Sequence, residues 1–211
     1  MSLEEIKHLR AKTGAGVLDC KKAWEESGQD FNKALEWLKK KGLARAEKKS
    51  LRQAKEGKIS AYLHGQGRIG VLVEVNVETD FAARGEVFKE FTHQLCLHIA
   101  AMDPLFVKRE EVPKERVKKE EAIFRAQVEK EGKKEVVRDK IVKGKMEKWF
   151  SEICLLEQVF LISAQSDEIK TVEAALKDII AQLGENVCIR RFVRFELGEE
   201  IGPLPLAEGP H

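Results

Sequence analysis

The chain lacks any apolar run long enough to cross a bilayer. Its longest, IGVLVEVNV (69–77) and CLLEQVFLI (154–162), are broken by polar residues and fall well short of the ~20 residues a spanning helix needs. Cysteine is sparse: Cys20, Cys96, Cys154 and Cys188 lie far apart with no C-x-x-C pair, which excludes both a zinc-binding spacing and a disulfide framework. They read as reduced cytosolic thiols, mostly buried. An excess of one charge is also missing. Lys and Arg number 38 against 36 Asp and Glu, a net charge of +2, so no global field draws the chain onto nucleic acid or an anionic membrane. Any such binding has to be local, and neither a membrane nor a direct nucleic-acid partner is expected. The N-terminus, Met1-Ser2-Leu3-Glu4-Glu5, is acidic and has neither a basic-plus-apolar signal nor a transit pattern, so the expected location is cytoplasmic.

Catalytic strings are absent as well. There is no G-x-S-x-G elbow, P-loop or H-E-x-x-H, and His93 and His98 are five apart rather than the four that would set two imidazoles on one helical face for zinc. Gly65-Gln66-Gly67-Arg68-Ile69-Gly70 matches G-x-G-x-x-G, but the residues that follow alternate with period two instead of opening a helix. The string therefore reads as a hairpin turn. No metal or cofactor is expected, and no enzymatic chemistry.

What is present is enough apolar residue, 43%, to fill a core, and enough charge, 35%, for long solvated helices. A length of 211 residues suggests one sizeable core plus a small satellite. Residues 3–42 read as three short helices with stripes Leu3/Ile6/Leu9, Val17/Cys20/Trp24 and Phe31/Ala34/Leu35/Leu38. Thr13-Gly14-Ala15-Gly16 separates the first two, Gly28 closes the second, Asp30 can cap the third and Gly42 can end it. From Lys39 to Lys58 nine basic residues stand against Glu47 and Glu56 with little apolar periodicity. That run reads as a solvated linker or exposed helix; its other reading is docking to ribosome, RNA or an acidic partner, although no aromatic is interleaved for base stacking.

The period then changes. Ile59, Ala61 and Leu63 alternate, as do Ile69, Val71, Val73, Val75 and Val77 across the turn, which predicts a hairpin with one buried face. Residues 81–102 predict a central helix, stopped by Asp103-Pro104. Two charged helices are expected near 114–130 and 134–150, divided by Gly132; an ambiguous apolar run spans 153–162, and a helix near 167–183 stops at Gly184. A last strand places Val187, Ile189, Arg191, Val193, Phe195 and Leu197 on one face and Cys188, Arg190, Phe192 and Arg194 on the other. The fold class is α+β: a three-helix module (1–42), a basic linker (43–56), an antiparallel sheet packed with helices (57–198) and a flexible tail (199–211).

Thr79-Asp80-Phe81 stands at the junction of strand and central helix. Pattern alone favours Asp80 as the N-cap and Phe81 as the first residue of the buried stripe. A rigid corner also suits an aromatic wedge, which can bury ~1.5–3 kcal/mol of apolar surface in a partner. Both hold if Asp80 caps and Phe81 protrudes.

Leu9-Arg10-Ala11-Lys12-Thr13-Gly14-Ala15-Gly16-Val17-Leu18-Asp19-Cys20-Lys21-Lys22-Ala23 closely resembles the N-terminal signature of the elongation factor Ts family. The string from Glu74 through Thr79-Asp80-Phe81-Ala82 to Arg84 resembles its second signature, and Gly184 to Phe192 its closing strand. The likeness covers roughly residues 3–198, with one copy of the core where longer members have two. It implies a guanine nucleotide exchange factor that binds elongation factor Tu with GDP. The three-helix module would be ubiquitin-associated-like and dock through Arg10, Val17 and Leu18. Thr79, Asp80, Phe81 and Ala82 would push between partner helices and disturb the loops holding magnesium and the phosphates. Ala82 departs from the family's usual Val; if that position is buried in the partner, the change removes ~1–2 kcal/mol at most and tunes rather than abolishes function. A single core copy also suggests a homodimer, with Cys188 and Arg190 as the place to look for its interface, although pattern alone favours a core position for Cys188. The alternative function is a ribosome- or RNA-associated protein using residues 39–58.

Overall fold

The structure, a computed structural model, describes residues 3–130, 135–162 and 169–200. Three helices open the chain: α1 (Leu3–Thr13), α2 (Val17–Glu26) and α3 (Phe31–Lys49). Acidic Glu4 and Glu5 in the first turn of α1 and basic Arg10 and Lys12 in its last complement the helix dipole. Gly28 and Gln29 take positive φ after α2, and the Asp30 carboxylate caps α3 by accepting the Lys33 N–H at 3.0 Å. Ile6, Leu9, Cys20, Ala23, Trp24, Ala34 and Leu38 form the module's core.

Helix α3 does not end at Gly42 as expected. It continues to Lys49, and its second half leaves the module: Ala46 is buried in the main core. Gly42 is there for packing instead, because a Cβ on it would lie 3.2 Å from the Cβ of Ala181. The extension is also anchored by charge. Asp19 of α2 takes Lys41 Nζ at 2.9 Å and the Arg45 guanidinium, and these partners, Lys41 first, hold its carboxyl below the ordinary value.

The main body is a three-stranded antiparallel sheet in the order β1 (Glu56–His64), β2 (Ile69–Val77), β3 (Val187–Glu196). Gly65, Gln66 and Gly67 all take positive φ in the β1–β2 turn, as the hairpin reading of that string requires. Val71, Val73, Val75 and Val77 bury one face of β2 against Phe88, Phe91, Leu95 and Ile99. Each such side chain contributes about 1.5–3 kcal/mol on burial, so this is the main source of stability. The central helix is split in two at Gly85: α4 (Asp80–Arg84) and α5 (Glu86–Met102). Gly85 is extended there, closing the first piece and opening the second.

Helices α6 (Lys114–Glu129) and α7 (Glu135–Ile153) make a side hairpin with its own small core of Val128, Val142 and Met146. Arg109 bridges Glu157 of the body and Glu147 of α7. The expected divider Gly132 lies outside the described residues. The run 153–162 finishes α7, makes one 3₁₀ turn at Leu155–Glu157 and returns to the body. Helix α8 (Val172–Leu183) starts at a Thr171 cap, later than expected at 167, a position that itself lies outside the described residues. It stops at Gly184, which takes positive φ. Residues 201–211 of the expected tail are likewise outside.

Two strand faces differ from the alternation read along the chain. Ile59 and Leu63 point outward, 63% and 73% exposed, while Ser60 is the buried residue of β1. The reason is parity. His64 pairs with Ile69 across a four-residue turn, so odd residues of β1 oppose even residues of β2 and cannot share the face of Val71, Val73 and Val75. In β3 a bulge leaves Arg190 unpaired between Arg191↔Glu74 and Ile189↔Val75. Beyond it the faces exchange: Phe192 and Arg194 turn inward, and Val193, Phe195 and Leu197 outward.

Candidate functional site

The corner between β2 and α4 is built by its neighbours. Thr79, not Asp80, is the N-cap: its Oγ1 accepts the Ala82 N–H at 3.3 Å. Asp80 is the first helical residue and pairs with Arg84 one turn on. The switch follows from geometry, since the capping side chain must precede the first helical residue and reach back over the open N–H groups. Phe81 does not start a buried stripe. It is 85% exposed, whereas Ala82 and Ala83 behind it are buried in the main core. Ala82 therefore faces the chain's own interior.

The same Thr79 hydroxyl donates to Glu185 Oε1 at 2.8 Å, and the Thr79 N–H donates to Glu185 Oε2 at 3.0 Å. Next to Glu185, the Asn186 N–H donates to Glu78 Oε1 at 2.6 Å, and Asn186 Nδ2 donates to the carbonyls of Arg52 at 2.6 Å and Ser50 at 3.4 Å. Lys49 reaches the Gly184 carbonyl, and Arg52 lies 3.6 Å from Glu78. Desolvation, then the nearby charge of Arg52, pull the Lys49 ammonium below its ordinary value. Three segments distant in sequence, 49–52, 78–79 and 184–186, thus meet behind Phe81. Sequence reasoning assigned no role to Glu78, Glu185 or Asn186. The one available signal was the polar Gly184-Glu185-Asn186 run directly ahead of a strand.

Arg10, Val17 and Leu18 are exposed where α1 turns into α2, with Leu18 at 82%. The Gly14 N–H closes that turn onto the Arg10 carbonyl at 2.8 Å. Cys188, which pattern favoured as core, is exposed, and it lies opposite Asn76 on the outer sheet face; Arg190 is the exposed bulge residue. Cys20, Cys96 and Cys154 are buried, and desolvation pushes the Cys96 and Cys154 thiols up to about 11.

A cleft of about 690 Å³ lies between the module and α8, but its carboxylates are committed: Asp19 to Lys41 and Arg45, Glu36 to Lys40, Asp178 to Lys170. His98 is buried, accepting the Leu161 N–H at Nδ1 and facing Gln158 Oε1 from Nε2. Among the described residues no group of three or more His, Cys, Asp or Glu is placed to hold a metal ion, and no helix is long and apolar enough to cross a membrane.

A sequence model described as elongation factor TS matches residues 42–167. Elongation factor Ts of Acetivibrio thermocellus is 53% identical over 201 residues, covering 95% of this chain and 92% of that protein. The protein of the same name from Thermotoga petrophila is 51% identical over 199 residues, covering 94% and 97%. That from Desulforamulus reducens is 50% identical over 199 residues, covering 94% and 90%.

Proposed function

The chain belongs to the elongation factor Ts family, and from that premise we propose that it is a guanine nucleotide exchange factor acting on elongation factor Tu with GDP in the cytoplasm. The observation that carries the reading is Phe81: a large apolar side chain held almost fully in water on a one-turn helix whose next two residues are sunk in the core. An isolated helix this short has no stability of its own, so its tertiary anchoring fixes where the ring points. In this reading Phe81 enters the partner, Thr79 and Asp80 shape the corner around it, and Ala82 supports it from beneath. Arg10, Val17 and Leu18 provide separate docking on the three-helix module.

The mechanism needs no covalent step. If the factor weakens GDP by some ratio, GDP weakens the factor by the same ratio, so the tightest complex is nucleotide-free and GTP can displace the factor. A wedge that shifts the partner's magnesium and phosphate loops suffices, because magnesium demands near-ideal octahedral coordination. The factor binds and releases; it is not an enzyme in its own right.

A homodimer accompanies this reading. Ile59, Leu63, Leu72, Val193, Phe195 and Leu197 spread exposed apolar surface over the outer sheet face, with Cys188 and Arg190 on the same strand. A patch of this kind on a sheet is suited to an identical patch across a two-fold axis. The nucleic-acid alternative draws less support from the fold, since Lys41, Arg45, Lys49 and Arg52 of the basic run are engaged by Asp19, the Gly184 carbonyl and Glu78.

Stopped-flow release of a fluorescent GDP analogue from purified elongation factor Tu tests the proposal. The wild-type chain should accelerate release. Losing ~1.5–3 kcal/mol of buried apolar contact in Phe81→Ala should slow it roughly 10- to 100-fold, with little change in melting temperature. No acceleration by the wild type would sink the exchange reading, and an undiminished Phe81→Ala would remove Phe81 from it.

A further inference from the structure

Phe81 makes few contacts of its own, so its direction is set by whatever holds the turn beneath it. That turn is held in two ways: Ala82 and Ala83 pack beneath it in the main core, and its capping residue is fixed by hydrogen bonds to a segment distant in sequence. Glu185 takes both the backbone N–H and the hydroxyl of Thr79, and the same hydroxyl caps α4 by accepting from Ala82. A carboxylate accepting two hydrogen bonds in parallel fixes orientation as well as distance. Its own position is fixed in turn: the next residue, Asn186, donates from Nδ2 to the Ser50 and Arg52 carbonyls just past the end of α3, and Lys49 grips the preceding Gly184 carbonyl. Helix α3 contributes Ala34 and Leu38 to the module core and Ala46 to the main core, so the chain of contacts runs from the module to the wedge.

Resting on the exchange reading, we propose that Glu185 is a positioning residue: it aims Phe81 through Thr79 and, with Asn186, locks that aim to the helix that carries the docking module. Module binding then delivers the ring to its target in one geometry. Without Glu185 the module still docks, but the ring arrives misdirected.

The test separates docking from delivery. GDP release is measured against factor concentration for the wild type, Glu185→Ala, Phe81→Ala and the double variant. Glu185→Ala should lower the maximal release rate between roughly 10- and 100-fold, the scale of loss for a misplaced reacting group, while the half-saturating concentration stays within about 3-fold. In the Phe81→Ala background the same change should cost nothing further. Glu185→Gln, which keeps one acceptor oxygen, should recover part of the rate. If Glu185→Ala melts below the assay temperature, Thr79→Val, which removes the hydroxyl alone, should show the same pattern. An unchanged maximal rate in Glu185→Ala, or an equal loss with and without Phe81, overturns the positioning role while leaving the exchange reading intact. A wild-type chain that accelerates nothing overturns both.

Discussion

Gly42 and Gly144 both sit inside long helices, and alanine at each should have opposite consequences. In a helix interior Ala is favoured over Gly by about 0.8–1 kcal/mol. At Gly144 in α7 nothing lies within 4 Å of the added Cβ, so the whole gain should appear. At Gly42 the new Cβ would lie 3.2 Å from Ala181 Cβ. Carbon pairs are most stable near ~3.5–4.0 Å, so α3 and α8 would have to part by about half an ångström along a seam that Lys49 and Gly184 also hold. Overpacking of this sort costs ~1–3 kcal/mol and should cancel or exceed the helical gain. For a domain of this size 1 kcal/mol moves the melting temperature by ~2–4 °C. Calorimetry should therefore find Gly144→Ala raised by about that amount, with Gly42→Ala level or lowered. Adding Ala181→Gly to Gly42→Ala should reopen the space, giving a favourable coupling of about 1 kcal/mol between the two changes. If Gly42→Ala stabilises as much as Gly144→Ala, α3 and α8 do not approach as closely as described, and the module is not seated on the body by this contact.

Two further outcomes follow from buried and exposed groups. Burial holds the His98 imidazole below its ordinary 6.5, so as pH falls below about 6.5 the unfolded chain takes up a proton that the folded chain resists. Stability from this source is complete above that pH and declines beneath it; thermal melts between pH 7 and pH 5 should fall more steeply for the wild type than for His98→Gln, and parallel slopes would dismiss His98 as the cause. For the outer sheet face, Phe195→Glu should turn a dimer into a monomer by light scattering after gel filtration without lowering the monomer's melting temperature, because that ring is 65% exposed. A wild-type chain already monomeric at high concentration would count against the interface.

The helical module and the class of the fold were readable because their signals are local: stripes at 3.6 spacing, a capping Asp30, glycines after α2 and α8. What failed to show was long-range. Gly42 looks like a stop along the chain and proves to be a contact with Ala181, on a helix near the other end of the sequence. Ile59 and Leu63 looked like core because alternation identifies two faces without saying which is inner; only the pairing of His64 with Ile69 decides. At the site, an exposed Phe81 is one of the two readings the sequence allows, and Arg10, Val17 and Leu18, the residues expected to dock, do lie in solvent. The carboxylate behind Phe81 was not anticipated. Glu185 and its partner Thr79 are separated by most of the main body's sequence, and a pairing at that distance leaves no periodic trace.

The bulge at Arg190 makes one strand answer to two masters. Its first residues, Val187 and Ile189, are judged by the chain's own interior, so tolerated replacements there are those that keep volume and apolarity. Past the inserted residue Val193, Phe195 and Leu197 face outward, where the interior constrains them far less. A mutational scan of β3 read for folding alone should thus show sensitivity that passes from the odd positions Val187 and Ile189 to the even positions Phe192 and Arg194, and a scan read for assembly should show the complement. A single extra residue thus moves the duty of facing the core from one set of alternate positions to the other within one strand.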